Sequence, residues 1–395
     1  MKKKILYVTK FIPAPAYGGG LKRNVAWLKF LTKYYDIDIV GFWSKQYGAS
    51  KIDELSNLNL NIIGFDFHDT KTNSLISMGK SIFNKQPITN NRYFSLEMKK
   101  SIEYLCTTND YEFVFFSEVA TVQYRKYINN IPYLFDDHNV EFELISRTSE
   151  YSKFPVDFAL KRDAKLMKLT ETSALEGSHQ NFFVSERDCK CFSKSIQKKS
   201  TVINNTYEDK MNNKASLSVN PTITFVGSVG WKPNRQGLEY FINNIYSQVK
   251  LRVDNIEFNL IGSNMSDDIK KMCEEYDIKI FENAEEQLKD DILDSTWLTV
   301  SPVYFGSGTR IKILEYWSHG KVVVSTKIGA EGLIKSKGTF VLDDNNKTIN
   351  LIVDLLKDKK NINDLGKSNY TTFKSHYDER VVFDESLINI IKSKF

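Results

Sequence analysis

No apolar run in these 395 residues approaches the ~20 that a bilayer-spanning helix needs, so no transmembrane segment is expected. The opening Met-Lys-Lys-Lys-Ile-Leu-Tyr-Val leads straight into a strand, with neither the apolar core nor the small-residue cleavage site of a secretory leader. The expected location is the cytoplasm. Cysteine is scarce. Cys106, Cys189, Cys191 and Cys273 form no Cys-x-x-Cys pair, which leaves free thiols rather than a disulfide framework or a zinc site. One-sided charge is missing too: 54 basic side chains against 49 acidic ones give +5, spread too evenly for nucleic acid to be a partner. A dinucleotide fingerprint is also lacking, because Gly-x-Gly-x-x-Gly begun at Gly18 puts Arg23 where the third glycine belongs.

What is present is a repeated alternation of short apolar runs with helix-compatible segments. Residues 4–9 form such a run, followed by a Pro/Gly loop over 11–20, a helical pattern over 22–31 and a strand over 37–42. A βαβ opening of this kind builds a parallel sheet. Further strands are expected at 61–65, 113–117, 133–135 and 181–184. A second series starts at 222 and continues through 257–262, 278–281, 297–300, 322–325 and 339–342, with a linker over 202–220 between the two. The length suits two α/β domains of roughly 200 residues each.

Within the second series, the stretch Ser-Pro-Val-Tyr-Phe-Gly-Ser-Gly-Thr-Arg-Ile-Lys-Ile-Leu-Glu over 301–315 is the most informative. A strand ends at Pro302, Gly306 and Gly308 permit unusual backbone angles, and a helix is predicted from near Thr309 to Gly320. Its free first-turn N–H groups, with Arg310 and Lys312, make a trap for anions. Glu315 lies about a turn deeper and leans back toward the same mouth, where a carboxylate suits a ribose diol better than a phosphate.

That stretch resembles the nucleotide-binding signature of the retaining, GT-B-type glycosyltransferases of family 4 (group 1), usually Glu-x7-Glu. Glu315 matches the second glutamate, and Ser307 stands at the first, as in the branch with Gly-x-Gly-Thr-Arg-x-Lys-x-Leu-Glu. The likeness covers nearly the whole chain and is strongest at 222–241 and 297–333. It implies an α/β GT-B fold, two Rossmann-like doubly wound domains facing a central cleft. The first, acceptor-side domain would be 1–205, the second, nucleotide-sugar domain 206–378, and a helix over 379–395 would cross back to the first. By the same resemblance Gly227, Ser228, Trp231, Asn234, Gly306, Ser307, Gly308, Thr309 and Ile311 surround the donor, with Gly19 and Gly20 near its sugar and diphosphate. Phe-Asp-Asp-His-Asn-Val-Glu over 135–141 is similar to the family's Asp-x-His-Asn-Val-Glu, which gives His138 the task of positioning the sugar.

Each of these also has a plainer reading. His138 beside two acidic residues reads as a satisfied structural group, Trp231 as core, and the three glycines 18–20 as a surface loop. His68, His179, His319 and His376 are read as structural. The family's usual arginine and lysine after the first glycine loop are replaced by Ser228 and Gln236, so Arg310 and Lys312 must supply the positive charge, with Lys232 and Arg235 second. A metal-dependent GT-A enzyme would show Asp-x-Asp. Asp36-Ile-Asp38 fits that string but starts an alternating strand, where both carboxylates are expected to be solvated, and no catalytic metal is predicted.

The resemblance thus implies a metal-independent hexosyl-type glycosyltransferase that needs no cofactor. It would move a sugar from a nucleotide-diphosphate donor, UDP- or GDP-linked, to a glycan or lipid-linked acceptor in bacterial surface polysaccharide or lipopolysaccharide synthesis. His138, Arg310, Lys312 and Glu315 are the expected catalytic residues. A sugar-nucleotide epimerase and a non-catalytic partner subunit are the alternatives. Two stretches, 75–83 and 158–168, mix basic and apolar residues, the second with Lys161, Arg162, Lys165 and Lys168 beside Phe158, Leu160, Leu166 and Met167. They read either as a peripheral contact with an anionic membrane or as helices packed on their own domain.

Overall fold

The computed structural model describes residues 2–14, 18–43, 53–67, 71–213, 215–306 and 308–395, so Tyr17, His68 and Ser307 lie outside the described residues. The chain divides into two compact units, Met1–Asn205 with Phe383–Phe395, and Thr206–Val382.

The first unit is built on seven strands: β1 (Lys3–Phe11), β2 (Tyr35–Trp43), β3 (Asn61–Asp66), β4 (Tyr111–Ser117), β5 (Tyr133–Asp137), β6 (Gln180–Phe183) and β7 (Ser200–Val202). They pair in parallel in the order β3-β2-β1-β4-β5-β6-β7. Ile5 to Val8 and Phe113 to Phe116 are buried on both faces. Helices cover both sides of such a sheet, so its central strands read as continuous apolar runs. Tyr7 stacks on Phe115 with ring centroids 4.9 Å apart, and Trp27 of the helix Gly19–Leu31 packs 4.9 Å from Phe115 and 5.1 Å from Phe383. Phe395 stacks on Phe113 at 5.0 Å, so the helix Glu385–Lys392 and the residues after it close this core.

The second unit repeats the plan with six strands: β8 (Thr222–Val226), β9 (Glu257–Gly262), β10 (Ile278–Glu282), β11 (Leu298–Ser301), β12 (Val322–Ser325) and β13 (Thr339–Val341). Their parallel order is β10-β9-β8-β11-β12-β13. In both sheets the chain winds outward from one strand, β1 or β8, and then returns to its other side, at β4 or β11. Open parallel sheets bind ligands outside the carboxyl ends of the strands at such a reversal.

Several local expectations change. The start of the expected linker belongs to β7, a three-residue edge strand that ladders onto β6 through Asn181, Phe182 and Phe183. The helix expected near Thr309 begins at Ile311 and runs to Ser318, because Gly306 and Gly308 hold φ of 120° and 81° and Arg310 is extended. Asp38 is buried, not solvated. It accepts from the Tyr111 hydroxyl, from Asn61 Nδ2 at 3.0 Å and from the Lys4 ammonium at 2.8 Å, while Asp36 alone faces water. The carboxyl-terminal stretch breaks into Glu379–Val382, within the second unit, and Glu385–Lys392, within the first.

Candidate functional site

Each unit gathers candidate side chains at its own reversal. In the first, Gly18, with a φ of 91°, directly precedes the helix Gly19–Leu31. A Cβ on Gly20 would sit 3.3 Å from His138 Nδ1, so this backbone lies directly against the histidine. His138 is 7% exposed, and its Nε2 lies 2.9 Å from Asp136 Oδ2 and 3.0 Å from Ser117 Oγ. A carboxylate only accepts, so Nε2 carries the proton and Nδ1, which has no hydrogen-bond partner in the protein, presents a lone pair toward the glycine loop.

Asp136 is gripped on both oxygens by Arg23, at 2.8 Å from Nε and 2.5 Å from Nη2. Burial acts to raise the Asp136 pKa, but Arg23 and His138 override it and hold it at about 2. Arg23 also donates to the Ile203 carbonyl at 2.6 Å. The residue that breaks the dinucleotide fingerprint is therefore the clamp that fixes the histidine's orienting carboxylate. Asn24 extends the network: it accepts from the Tyr7 hydroxyl at 2.9 Å and from Ser117, and donates to Thr9 Oγ1 at 2.9 Å.

Asp137, one residue on, points to the opposite face. There it meets Glu171 and Asp188, and burial followed by these like charges pushes its pKa well up. Glu171 accepts the first N–H groups of the helix Glu141–Glu150, from Glu141 at 2.9 Å and Phe142 at 3.3 Å. Its own pKa rises to about 8, chiefly through burial. Beside His138 opens a cavity of about 220 Å³, walled in part by Lys10, Arg92, Tyr93, Glu118 and Glu141. Lys10 and Glu118 form an ion pair in it, and Glu118 holds a φ of 71°, a conformation that side chains other than glycine adopt at a cost.

In the second unit, Gly227 ends β8 and lets two side chains close over the backbone. A Cβ there would lie 2.9 Å from both Asn234 Nδ2 and Lys312 Nζ. Lys312 donates to Asn234 Oδ1 at 2.7 Å, Asn234 donates to the Ser228 carbonyl at 2.9 Å, and the ammonium sits 4.2 Å from the Phe225 ring centroid. Burial and then the neighbouring Arg310 charge pull the Lys312 pKa down to about 7, against the opposing pull of Glu315. Arg310, 8% exposed, lies at the start of the helix Ile311–Ser318, close against Gly306 and 5.5 Å from the Trp231 ring. Thr309 Oγ1 and Ser301 Oγ are buried with no hydrogen bond in the protein. Ile311 is half-buried at the first helical position.

Glu315, one turn into that helix, accepts from the Tyr207 hydroxyl at 2.6 Å and from Lys289 at 2.5 Å. Trp231 is 43% exposed, which removes its reading as core. Arg235 is taken up by Glu239 and Asp268, and Lys232 and Gln236 face solvent, so the buried cations of this unit's site are Arg310 and Lys312. His319 bonds Asp294 at 2.8 Å and is structural, as the sequence suggested. Sequence reasoning missed Lys289, Tyr207, Lys10 and Glu118, each of which enters through a partner distant in the chain. Only the Asp136–His138 spacing carried a signal, since i and i+2 share a strand face. Among the described residues no cluster of three His, Cys, Asp or Glu side chains could hold a metal ion.

Two parallel, doubly wound sheets with these loops define a GT-B fold. Residues 220–358 match the family model of group 1 glycosyl transferases, so the second unit carries a domain of that kind. Over 96% of its length the chain is 22% identical to 98% of a protein of Klebsiella pneumoniae described as an uncharacterized 44.6 kDa protein in the cps region. Among solved structures it is similar to sucrose-phosphate synthase from Thermosynechococcus elongatus, with a TM-score of 0.71 at 13% identity over 99% of each chain. Anabaena HepE, solved in complex with UDP-glucose, superposes with a TM-score of 0.65 at 12% identity over 99% of each chain.

Proposed function

We propose that this protein is a retaining, metal-independent glycosyltransferase that moves a sugar from a UDP- or GDP-linked donor to a hydroxyl of a glycan or lipid-linked acceptor. The observation that carries the reading is the pairing of Arg310 with Lys312 at a helix N-terminus, in a buried site where Lys312 is destabilised as a cation. A diphosphate would supply the missing negative charge. Glu315, a turn deeper, fits a ribose diol once Tyr207 and Lys289 share it with the ligand.

The reaction breaks the bond between the sugar's anomeric carbon and the phosphate oxygen and forms one to the acceptor oxygen on the same face. The acceptor's proton passes to the departing phosphate oxygen. Arg310, Lys312 and the helix amides stabilise the charge that grows on the diphosphate, a preorganised electrostatic effect. His138, oriented by Asp136, uses its Nδ1 lone pair to hold a sugar hydroxyl. The cps-region relative supports a place in surface polysaccharide assembly. Exposed Ile82, Phe83, Phe154 and Phe158, beside the Arg162–Ser81 hydrogen bonds, support a peripheral membrane contact of the first unit.

Purified protein screened against UDP-, GDP-, dTDP- and CMP-linked sugars should be thermally stabilised by UDP- or GDP-linked donors, since a ligand of the native state raises apparent stability. Transfer should then persist in EDTA. Nucleotide binding without transfer to any acceptor or water would turn the reading to a non-catalytic subunit, and isomerisation of the donor would turn it to an epimerase.

A further inference from the structure

A second cavity of the first unit, about 320 Å³, lies across the short helix Ile88–Arg92 from the one at His138. Ile88, Thr89 and Arg92 wall the first cavity, whereas Asn90 and Asn91 wall the second, so the helix is the partition between them.

Its chemistry differs from that of its neighbour. Carboxamides dominate the wall, from Asn84, Gln86, Asn90, Asn91 and Gln123. Two of them are locked together: Asn84 Nδ2 donates to Asn91 Oδ1 at 2.7 Å, and Asn91 Nδ2 donates back to Asn84 Oδ1 at 3.3 Å. Gln123 is anchored through its Nε2, which donates to the Ala120 carbonyl at 2.8 Å. Asn90 is 3% exposed, and its Oδ1 has no hydrogen-bond partner in the protein. A buried acceptor left unsatisfied is costly, so it calls for a donor from within the cavity. Phe94 and Tyr127 add aromatic surface, Lys80 and Lys126 add two ammonium groups, and among the described residues no carboxylate lines the cavity. Phe94 is held in place by stacking on Tyr124, with interplanar angle 10°.

Carboxamides both donate and accept, as sugar hydroxyls do; aromatic faces suit the C–H face of a pyranose; and ammonium groups without acidic neighbours suit a carboxylate. We propose that this cavity is a saccharide subsite that binds an acidic sugar unit of the acceptor glycan, remote from the reacting hydroxyl. Only the word acceptor rests on the transferase reading; the saccharide site itself stands on the cavity.

The test titrates the full chain, without nucleotide, with tetragalacturonate and with its carboxyl-reduced galactose counterpart, two tetrasaccharides that differ chiefly in charge. Saturable binding of the acidic one should be at least ~10-fold tighter, and Lys80→Ala with Lys126→Ala should bring the two within about twofold. Gln123→Leu should weaken both. These side chains are not part of the core, and an unchanged Tm of each variant verifies that it folds. No saturable binding, equal binding of the two sugars, or acidic binding untouched by the cavity variants would overturn the proposal. A parallel UDP titration reads the second unit alone, so loss of nucleotide binding counts against the transferase reading and leaves the saccharide result to decide the subsite.

Discussion

The side-chain clusters of the two units sit at equivalent places in their own sheets, yet they balance charge in different ways. In the first unit the buried Arg23 and the half-buried Lys10 have acidic partners in direct contact: Arg23 holds Asp136 and Lys10 holds Glu118. In the second, Lys312 is held by the neutral carboxamide of Asn234 and is depressed by Arg310. A neutralised pocket orients groups without attracting an ion, whereas a site with surplus buried positive charge is completed by an anion. On the function proposed above, the first unit would position hydroxyls and the second would bind phosphate.

The largest effect should come from breaking the balance of the first unit. Asp136→Asn leaves the Arg23 guanidinium buried without its carboxylate, which should cost ~3 kcal/mol or more of stability. Because the folded Asp136 pKa lies below the ordinary value, its contribution is present above pH 3.8 and is lost as pH falls toward 2. Urea unfolding at pH 7 measures the difference. A loss under 1 kcal/mol would mean that the pair is not a clamp.

In the second unit the corresponding change should spare folding and strike turnover. Arg310→Ala should lower it on the order of 10²-fold with the authentic donor, if the guanidinium stabilises leaving-group charge. Full turnover would remove the diphosphate assignment. Lys312 gives an independent readout. With a pKa of about 7 it is largely neutral at pH 8, and a bound diphosphate should restore its charge, so nucleotide binding should take up to one proton there. Calorimetry in buffers of different ionisation enthalpy counts that proton, and the uptake should vanish in Lys312→Met.

How far the sequence disclosed this contrast depends on how local each feature is. The central strands were legible because a parallel sheet buried on both faces needs unbroken apolar runs, as in β4 and β8. β7 was not, since three half-buried residues, Ser200 to Val202, carry no periodicity. Gly306, Gly308, Arg310, Lys312 and Glu315 lie within one loop and helix, so their proximity could be read from spacing. Arg23 and Asp136 are 113 residues apart, and Tyr207 and Glu315 are 108 apart, so only the fold brings them together. Asp38 was misjudged for the same reason: its partner Tyr111 arrives from a neighbouring region of the sheet.

A smaller effect sharpens the comparison within β5 itself, where adjacent carboxyls are driven apart in acidity. Asp136 is held low by a cation, while Asp137 is pushed up by burial and by the charges of Glu171 and Asp188, and Glu171 by burial and by the charge of Glu141. The folded state therefore keeps a proton on the second pair that the unfolded chain would release. That contribution is complete below the ordinary glutamate value of 4.5 and is lost as pH rises to about 8, with a slope of at most ~1.4 kcal/mol per pH unit for one proton. Glu171→Gln should flatten the fall in Tm between pH 5 and 8, for which a profile matching wild type would show that no proton is shared there.

The smallest effect concerns the outer face of the first unit, where the expected basic amphipathic helix proves to be divided. Met167 is fully buried and Leu160 packs on the core, so much of the apolar stripe of the helix Val156–Gly177 belongs to its own unit. Lys161 pairs with Asp157 at 3.3 Å, Lys168 lies 5.1 Å from the Phe142 ring, and Arg162 bonds Ser81. Outward-facing apolar groups include Phe154 and Phe158, 84% and 68% exposed, with Val156 and Leu169 of that helix and Ile82 and Phe83 of the helix Lys71–Asn84. Membrane attachment should therefore depend on these rings more than on the charges, each basic group adding no more than ~1 kcal/mol near an anionic surface. In co-sedimentation with vesicles containing phosphatidylglycerol, Phe83→Ser with Phe158→Ser should release the protein more completely than Lys161→Glu with Lys165→Glu. Equal recovery of wild type in the supernatant with and without vesicles would remove the membrane from the account and leave the aromatic face unexplained.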